Sequence, residues 1–379
     1  TRENLTGVRV VRAFCKEDQE IDTFNKSNDE LTAGQKFVGR ISALMNPLTY
    51  VIINLAIIWL IQTGSVQVND GTLSQGDVVA LYNYMSQILV ELIKLANLII
   101  SLTKCVACGN RVQALFDIKS SQEVTSDKDV IGNADYAVEF RGVSLKYKNA
   151  GEDSLTGMDF AVKRGETVGI IGGTGSGKSS LVNMIPRFYD ATAGEVLIGG
   201  RDVKSFEIPE LRERIGIVPQ KAVLFKGSIR DNMRWGKDDA TDDEILAAAK
   251  TAQAADVIES KGGLDFEIEQ GGKNLSGGQR QRFTIARALV RKPEILILDD
   301  SASALDFATD AALRRSIREM DTNPTVFIVS QRTSSIQHAD KIIVLDDGKI
   351  AGIGKHDELL NNCPVYSEIY NSQFKKEAV

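Results

Sequence analysis

The chain has 379 residues and a formal net charge of -6 at pH 7. A chain of this length is expected to contain two or three structural units. Because it is acidic and offers no basic field to a phosphate backbone, nucleic acid is excluded as an expected partner. Its 4 cysteines are too few for a disulfide framework, which indicates a reducing environment. The chain begins with Thr1 and shows no signal-peptide pattern, so we expect it to be a piece of a longer protein.

The first 118 residues are predicted to contain two membrane-spanning helices. Residues 1–40 are charged and helical in pattern, and we interpret them as a cytoplasmic helical extension. From Ile41 to Asn69 no residue is charged, and the stretch holds roughly the 20 apolar residues that a bilayer crossing requires. This composition predicts a first span at about 41–63.

A second helical stretch, at about 77–103, is apolar for most of its length but carries two opposite charges. At about 100° per residue, its polar side chains share one narrow arc: Asn83, Gln87, Glu91, Lys94 and Ser101. Because a polar stripe cannot face lipid, it lines a water-filled pathway or faces another helix. Two interpretations stay open. The stripe lines a substrate pathway, or Glu91 and Lys94 neutralise each other and hold helices together.

Charges outside the two spans predict the orientation of the segment. Lys36 and Arg40 precede the first span and Lys104 and Arg111 follow the second, whereas the loop between the spans contains no Lys or Arg. Because positive residues stay on the cytoplasmic side, both ends of residues 1–118 are expected there. We therefore expect a multi-pass protein of the cell membrane that contacts lipid. Further spans, from the missing N-terminal part or another subunit, would have to cover the polar stripe.

Residues 119–135 form a polar run without apolar periodicity, which is typical of a linker, and a soluble domain is expected over 136–379. Strands rich in β-branched residues alternate with helical stretches in this domain, which predicts a largely buried α/β sheet. The predicted strands are 137–140, 167–171, 295–298, 326–329 and 341–345.

A glycine-rich segment follows the second of these strands and precedes a helical stretch, which is the sequence and context of a phosphate-binding loop. Glycines let the backbone wrap a phosphate with its N–H groups. Lys178 would contact the β- and γ-phosphates, and the Ser179 hydroxyl would ligate Mg²⁺. The predicted ATP-binding residues of this loop are Gly172, Gly173, Thr174, Gly175, Ser176, Gly177, Lys178, Ser179 and Ser180.

The apolar strand Ile295–Leu298 ends in two carboxylates, Asp299 and Asp300. A carboxylate at the carboxyl end of a buried strand is the arrangement that holds Mg²⁺ beside a phosphate-binding loop. Asp299 is therefore the predicted metal ligand. ATP and Mg²⁺ are the cofactors that these two segments predict.

The segment Asn274–Arg282, with the sequence NLSGGQRQR, resembles the signature of ABC ATPases, and the chain is identified as a member of that family. The residues that carry the match are Ser276, Gly277, Gly278 and Gln279. A helix N-terminus with a small-residue lead can cap a γ-phosphate presented by another molecule. The resemblance implies that two such domains pair head to tail, so that each signature closes over the phosphate loop of its partner.

Other family elements follow in the expected order. Tyr147 resembles the aromatic residue that stacks on adenine. Gln220 resembles the glutamine that senses Mg²⁺ and couples to the membrane domain, so it is a third predicted metal ligand, after Ser179 and Asp299. Asp306, in the sequence Ser303-Ala-Leu-Asp306, resembles the loop that communicates between paired sites. The resemblance implies a fold class of transmembrane α-helices, the last two spans of an exporter membrane domain, followed by an α/β P-loop NTPase domain with a helical subdomain.

Two departures from the family fall on the predicted catalytic residues. Asp300 stands where the family usually has the glutamate that polarises the attacking water, and its side chain is one methylene shorter. Gln331 stands where the family has a histidine that contacts the γ-phosphate, and glutamine cannot carry imidazolium charge. A misplacement of about 1 Å at a reacting centre can cost on the order of a hundredfold in rate. We expect ATP binding to be retained and hydrolysis at this chain's own site to be weak.

The resemblance implies an ATP-hydrolysing subunit of a heterodimeric ABC exporter. Its partner would be a second ABC half-transporter, and its substrate an exported small molecule, lipid or peptide. A homodimer with two slow sites stays open, as does normal turnover with Asp300 and Gln331. A nucleotide-gated regulatory or channel subunit without pumping is the alternative function. A soluble ABC protein of translation or DNA repair is disfavoured by the predicted spans and the acidity.

Overall fold

The computed structural model describes residues 2–118, 122, 133–148, 150–301 and 303–374. The chain divides into two compact units, residues 1–119 and 120–379. The predicted linker 119–135 lies mostly outside the described residues.

The first unit consists of helices α1 (Arg2–Ala13), α2 (Glu17–Asn69) and α3 (Gln75–Phe116). Acidic residues in the first turn of α2 favour its start, because they complement the positive helix end. Its end is followed by Gly71, whose φ of +73° belongs to the left-handed region. A capping box of Ser74 and Asp77 then starts α3.

The helices of the first unit are longer than the predicted spans. α2 contains the predicted span 41–63 and extends without a break toward the N-terminus, so that most of the predicted helical extension is continuous with it. Among the described residues, α2 is the helix that is long and apolar enough to cross a membrane. On α3, Lys94 Nζ lies 2.8 Å from Glu91 Oε1, so the two charges of the polar stripe neutralise each other.

The second unit contains two sheets and a set of helices. In chain order its elements are β1 (Tyr136–Leu145), β2 (Leu155–Lys163), β3 (Thr167–Gly172), α4 (Lys178–Met184), β4 (Ala193–Ile198), β5 (Arg201–Asp202), α5 (Ile208–Glu213), β6 (Ile215–Val218), β7 (Gly227–Ser228), α6 (Ile229–Arg234), α7 (Asp242–Thr251), α8 (Ala255–Ser260), β8 (Glu267–Ile268), α9 (Gly277–Val290), β9 (Ile295–Asp299), α10 (Phe307–Arg318), β10 (Thr325–Val329), α11 (Thr333–Ile336), β11 (Lys341–Asp346), β12 (Lys349–Gly354), α12 (His356–Asn362) and α13 (Pro364–Phe374).

The larger sheet has the strand order β12-β11-β3-β10-β9-β6, and all neighbours except β12 and β11 run parallel. Its central strands are buried on both faces, because their apolar side chains pack against helices on either side. Gly172, Val329 and Asp299 end three of these neighbouring strands. The carboxyl edge of a parallel sheet is where ligands bind in such folds.

The smaller sheet is antiparallel, with the order β2-β1-β4-β5. One apolar core lies between this sheet and the larger one, and it includes Phe140, Phe160 and Phe327. A second core joins the other face of the larger sheet to α6, α7, α8 and α9. Four of the five predicted strands belong to the larger sheet, as β3, β9, β10 and β11. The predicted strand 137–140 lies instead within β1 of the antiparallel sheet, and the arrangement of that sheet is a finding of the structure.

Candidate functional site

The loop between β3 and α4 forms the floor of the site. Gly177 has a φ of +93°, and a Cβ at this position would lie 2.6 Å from Leu155 Cδ2. Only glycine therefore fits there without strain. At Gly173 and Gly175 a Cβ would meet nothing within 4 Å, so this part of the loop borders open space. Exposed backbone beside open space can hold a phosphate group.

A cavity of about 530 Å³ opens above this loop at the carboxyl edge of the larger sheet. Eleven of the predicted site residues line it: Tyr147, Thr174, Gly175, Gly177, Lys178, Ser179, Ser180, Gln220, Asp299, Asp300 and Gln331. Segments that lie far apart in the sequence thus meet in one cavity. Its size and its convergent polar groups suit a nucleotide.

Lys178 is the cation of the cavity. Its ammonium donates to the carbonyl oxygens of Gly172 at 2.9 Å and Gly173 at 2.5 Å. Burial lowers the Lys178 pKa, while the negative charges of Asp300 and Asp299 act in the opposite direction. The arrangement places a partly desolvated cation beside the phosphate-binding loop. Its attraction to an anionic ligand is stronger there than it would be in water.

Asp299 and Ser179 supply oxygen atoms suited to a hard cation. Ser179 Oγ donates to Asp299 Oδ1 at 3.1 Å. Burial raises the Asp299 pKa, and the neighbouring Asp300 charge raises it further, whereas the Ser179 hydrogen bond and the Lys178 charge lower it. Within the described residues no group of three or more His, Cys, Asp or Glu side chains is placed to hold a metal. A cation here would therefore need further oxygen ligands from phosphates and water, which is the usual coordination of Mg²⁺.

Asp300 is held in an uncommon backbone conformation at the end of β9. Its φ is +46°, and its main-chain N–H donates to the Val329 carbonyl at 2.9 Å. Gln220 Nε2 donates to Asp300 Oδ2 at 3.2 Å. Non-glycine residues with positive φ are rare and occur at sites where the surroundings fix them. The structure thus places the predicted catalytic carboxylate against the predicted magnesium-sensing glutamine.

Tyr147 follows β1 and lines the cavity. Its hydroxyl lies 2.8 Å from Ser180 Oγ, and its ring meets the Tyr189 ring edge-on at 4.9 Å between centroids. Both contacts restrain the ring while it lines the cavity. A restrained aromatic ring can stack on a nucleobase.

The signature residues lie at the N-terminus of α9 and do not line this cavity. Ser276 Oγ accepts from the Gln279 N–H at 3.2 Å, and Gln279 Oε1 accepts from the Ser276 N–H at 3.0 Å. Both side chains therefore form a capping box. Gly277 borders open space, and a Cβ at Gly278 would lie 3.2 Å from the Ala304 carbonyl.

Asp306 also lies outside the cavity. Its carboxylate caps α10 by accepting from the Thr309 N–H at 2.9 Å and the Thr309 hydroxyl at 2.7 Å. These hydrogen bonds lower the Asp306 pKa. The structure thus gives this residue a helix-capping contact that the sequence analysis did not identify.

Sequence reasoning missed part of the cavity wall. The β1–β2 loop contributes Glu152, Asp153 and Ser154, and the turn between β11 and β12 contributes Asp347 and Gly348. The Asp-Gly pair between two apolar runs is a turn signal. Its place beside the phosphate-binding loop follows only from the pairing of β11 with β3.

Two family models match the sequence. Residues 155–303 match the ABC transporter model, and residues 1–92 match that of the ABC transporter transmembrane region. Among curated relatives, an uncharacterised ABC transporter ATP-binding protein of Mycobacterium tuberculosis is 38% identical over 98% of this chain and 64% of its own length.

Two further relatives carry names that state a transport role. A putative multidrug export ATP-binding/permease protein of Bacillus subtilis is 37% identical over 98% of this chain and 64% of its own length. An ATP-dependent lipid A-core flippase of Desulfotalea psychrophila is 34% identical over 98% of this chain and 65% of its own length. The chain thus spans about 64% of the length of such relatives.

A solved structure of a bacterial Atm1-family ABC exporter with ATP bound is similar to this chain, with a TM-score of 0.87 and 30% sequence identity. The similarity covers 98% of this chain and 66% of the exporter chain.

Proposed function

The chain belongs to the ABC transporter family, as a membrane protein with a transmembrane region and a cytoplasmic ATP-binding domain, and from this we propose that it is the ATP-binding subunit of an exporter. ATP binding and hydrolysis would be coupled to movement of a substrate across the membrane. The observation that carries the proposal is the cavity in which Lys178, Ser179 and Asp299 meet at the carboxyl edge of the parallel sheet.

ATP and Mg²⁺ are the proposed cofactors of this cavity. The phosphate-binding loop and Lys178 would hold the phosphates, and Tyr147 would stack on the base. Ser179, Asp299 and Gln220 would hold Mg²⁺, which supplies charge neutralisation at the phosphates when it is bound. The hydrogen bond between Ser179 and Asp299 supports this assignment, because it already places two oxygen ligands beside each other.

Hydrolysis at this site is proposed to be weak. The Asp300 side chain is one methylene shorter than glutamate, and one of its oxygens accepts a hydrogen bond from Gln220. Both features work against a carboxylate that must reach and polarise a water molecule. Gln331 at the cavity wall can donate a hydrogen bond to a phosphate but adds no positive charge.

The partner is proposed to be a second ABC half-transporter, in a heterodimer. The signature residues sit outside the cavity of their own chain, and Gly277 borders open space at the N-terminus of α9. A helix N-terminus in that setting suits a phosphate presented by another chain. This chain would then supply one impaired site and the signature of a competent one.

The substrate is proposed to be a small molecule, lipid or peptide. Relatives named as a multidrug exporter and a lipid A-core flippase support this range. The neutralised pair of Glu91 and Lys94, beside Gln87 on α3, offers polar contacts without net charge. Such a stripe suits an amphipathic substrate better than a strongly charged one.

A second candidate is a nucleotide-gated regulatory or channel-like subunit that binds ATP without pumping. The two substituted catalytic positions, Asp300 and Gln331, favour it. The two functions differ in whether ATP hydrolysis is coupled to transport of the substrate. A pump shows substrate-stimulated ATP hydrolysis, whereas a gate shows ATP-dependent permeability without uphill transport.

The test is ATP hydrolysis by the whole protein in liposomes, alone and with the half-transporter that co-purifies with it. We expect negligible activity alone, restoration by the partner, and a rise of up to about a hundredfold on combining Asp300→Glu with Gln331→His. A Lys178→Ala variant in each preparation controls for contaminating ATPases. Brisk hydrolysis by the unmodified protein alone would instead establish Asp300 and Gln331 as competent residues and a homodimer as the working unit.

A further inference from the structure

The last turn of α13 reaches the loop that follows β10. Gln373 Oε1 accepts from both the main-chain N–H and the hydroxyl of Thr333, each at 2.9 Å. Gln373 Nε2 donates to the Gln331 carbonyl at 2.7 Å. One side-chain amide therefore binds Gln331, in the loop between β10 and α11, and Thr333, the first residue of α11, although it lies about 40 positions away in the sequence.

The helix that carries Gln373 is itself fixed. Tyr366 is 0% exposed, and its hydroxyl shares a hydrogen bond of 2.7 Å with His356 Nδ1. Tyr366 and Gln373 are two helical turns apart, so they lie on the same face of α13. Between them, Ile369 packs against the core. The helix that carries the Gln373 amide is therefore fixed to the core by Tyr366 and Ile369.

The residues around Gln331 are held by other hydrogen bonds or by burial, whereas Gln331 is held by its hydrogen bond from Gln373. The Ser330 N–H donates to the Ile170 carbonyl at 3.1 Å, and Ser330 Oγ accepts from the Arg332 N–H at 2.9 Å. Thr333 is buried. Throughout the described part of the chain, the hydrogen bond recorded for Gln331 is the one from Gln373. The side chain of Gln331 lines the cavity.

We propose that Gln373 is a positioning residue that holds Gln331 toward the terminal phosphate of ATP, so that the C-terminal helix helps the site to distinguish ATP from ADP. The inference rests on the proposed binding of ATP in this cavity. A mere docking contact for α13 would need only one hydrogen bond to any backbone group of the loop. Instead, the amide uses both acceptor positions and a donor on the two residues that flank Arg332.

The experiment measures dissociation constants for ATP and for ADP with the whole protein in lipid nanodiscs. Gln373→Ala loses all three hydrogen bonds, whereas Gln373→Glu keeps the two acceptor contacts to Thr333 and cannot donate to Gln331. We expect both variants to reduce the preference for ATP over ADP by about fivefold, the effect of one net hydrogen bond, with ADP affinity unchanged. Ser372→Ala, on the same exposed turn, is the matched control and should keep the wild-type preference.

A double-mutant cycle tests whether the effect passes through Gln331. In a Gln331→Ala background, Gln373→Ala should cause no further loss of ATP preference. An additional loss in that background, or a wild-type preference retained by Gln373→Glu, would overturn the proposal. So would a lowered unfolding temperature with an unchanged preference, since that is the signature of a purely structural contact.

The same measurements separate this inference from the proposed function. A wild-type protein that binds neither nucleotide would contradict ATP binding itself. A wild-type protein that binds both nucleotides equally, or a Gln373→Ala variant that still prefers ATP, would contradict the positioning role alone.

Discussion

Gln220 and Asp300 are joined by a hydrogen bond of 3.2 Å between Nε2 and Oδ2, across 80 positions of sequence. Gln220 follows β6 and Asp300 follows β9, and these strands are neighbours in the larger sheet. The contact therefore couples the two loops that bound one side of the cavity. It also orients the side-chain oxygen of Gln220, which would ligate a magnesium ion.

Replacement of Gln220 by alanine should weaken the binding of ATP with Mg²⁺ by about fivefold, which corresponds to the loss of about 1 kcal/mol from one hydrogen bond or ligand contact. Binding of ATP without Mg²⁺ should not change, because Lys178 and the phosphate-binding loop remain intact. Titration of a fluorescent ATP analogue with and without Mg²⁺ measures both. The exposed neighbour Lys221 gives a control in Lys221→Ala, and equal losses under both conditions would contradict the assignment.

Two glycines of the phosphate-binding loop should respond differently to alanine. Gly177→Ala forces an L-residue into a φ of +93° and brings its Cβ to 2.6 Å from Leu155 Cδ2 and 2.9 Å from the Ser154 carbonyl. We expect it to lower the free energy of unfolding by about 2 kcal/mol. Gly173→Ala meets nothing within 4 Å and should leave stability unchanged. Denaturant unfolding compares the two variants. A similar loss of unfolding free energy in both would show that the positive φ and the close contacts of Gly177 do not determine the effect.

Binding of ATP with Mg²⁺ should weaken on acidification at a higher pH than an ordinary aspartate would produce. Burial raises the Asp299 pKa, so this carboxylate takes up a proton above its usual range near 3.9 and then no longer ligates a cation. The same shift means that the free energy of unfolding falls as pH rises from the unfolded-state pKa to the higher folded-state pKa. Affinity measured from the usual aspartate range, about pH 3.9, up to about pH 8 tests the binding part.

The matched variant for this pH dependence is Asp299→Asn, which keeps the shape of the side chain and removes the titration. Its affinity should be lower and should vary less with pH than that of the wild type. If its pH profile equals that of the wild type, another group controls the binding of the cation.

Ser276→Ala should lower the free energy of unfolding by about 1 kcal/mol, because it removes the N-terminal cap of α9. ATP affinity at this chain's own cavity should stay the same, since the signature lies outside it. In the complex with the partner, hydrolysis should fall. Ser276→Thr retains a capping hydroxyl and serves as the control, and a weakened affinity in the isolated subunit would show that Ser276 acts on its own site.

The sequence predicted those parts of the site that are local in the chain. The phosphate-binding loop and Asp299 follow directly from a strand with its loop, whereas Ser276 was identified through the resemblance of Asn274–Arg282 to the ABC signature. The predicted strand ends differ from the observed ones by one residue at β3, β9, β10 and β11, whereas the predicted strand 137–140 is only part of β1. These features can be predicted because they depend on residues that are neighbours in the sequence and not on tertiary contacts.

The remaining parts depend on tertiary packing. Asp347 and Gly348 enter the cavity because Leu345 pairs with Gly172, and the Gly348 carbonyl accepts from the Thr156 N–H at 2.8 Å. Gln373 is a polar residue on a terminal helix, and its sequence context does not distinguish it from Gln337. Its hydrogen bonds to Gln331 and Thr333 are evident only when the helix is docked. Only the strand 137–140 of the antiparallel sheet was predicted, and β1, β2 and β4 each contain a glycine with positive φ that interrupts the strand pattern.

The pairing of β3 with β11 has a consequence for biosynthesis. β3 is among the first strands of its unit to leave the ribosome, yet it must wait for β10 and β11, more than 150 residues later, before it is covered on both sides. Pairings over such distances form slowly, and until then an apolar strand is open to misassembly. The nascent domain therefore acquires its nucleotide pocket only after β10 and β11 have been synthesised.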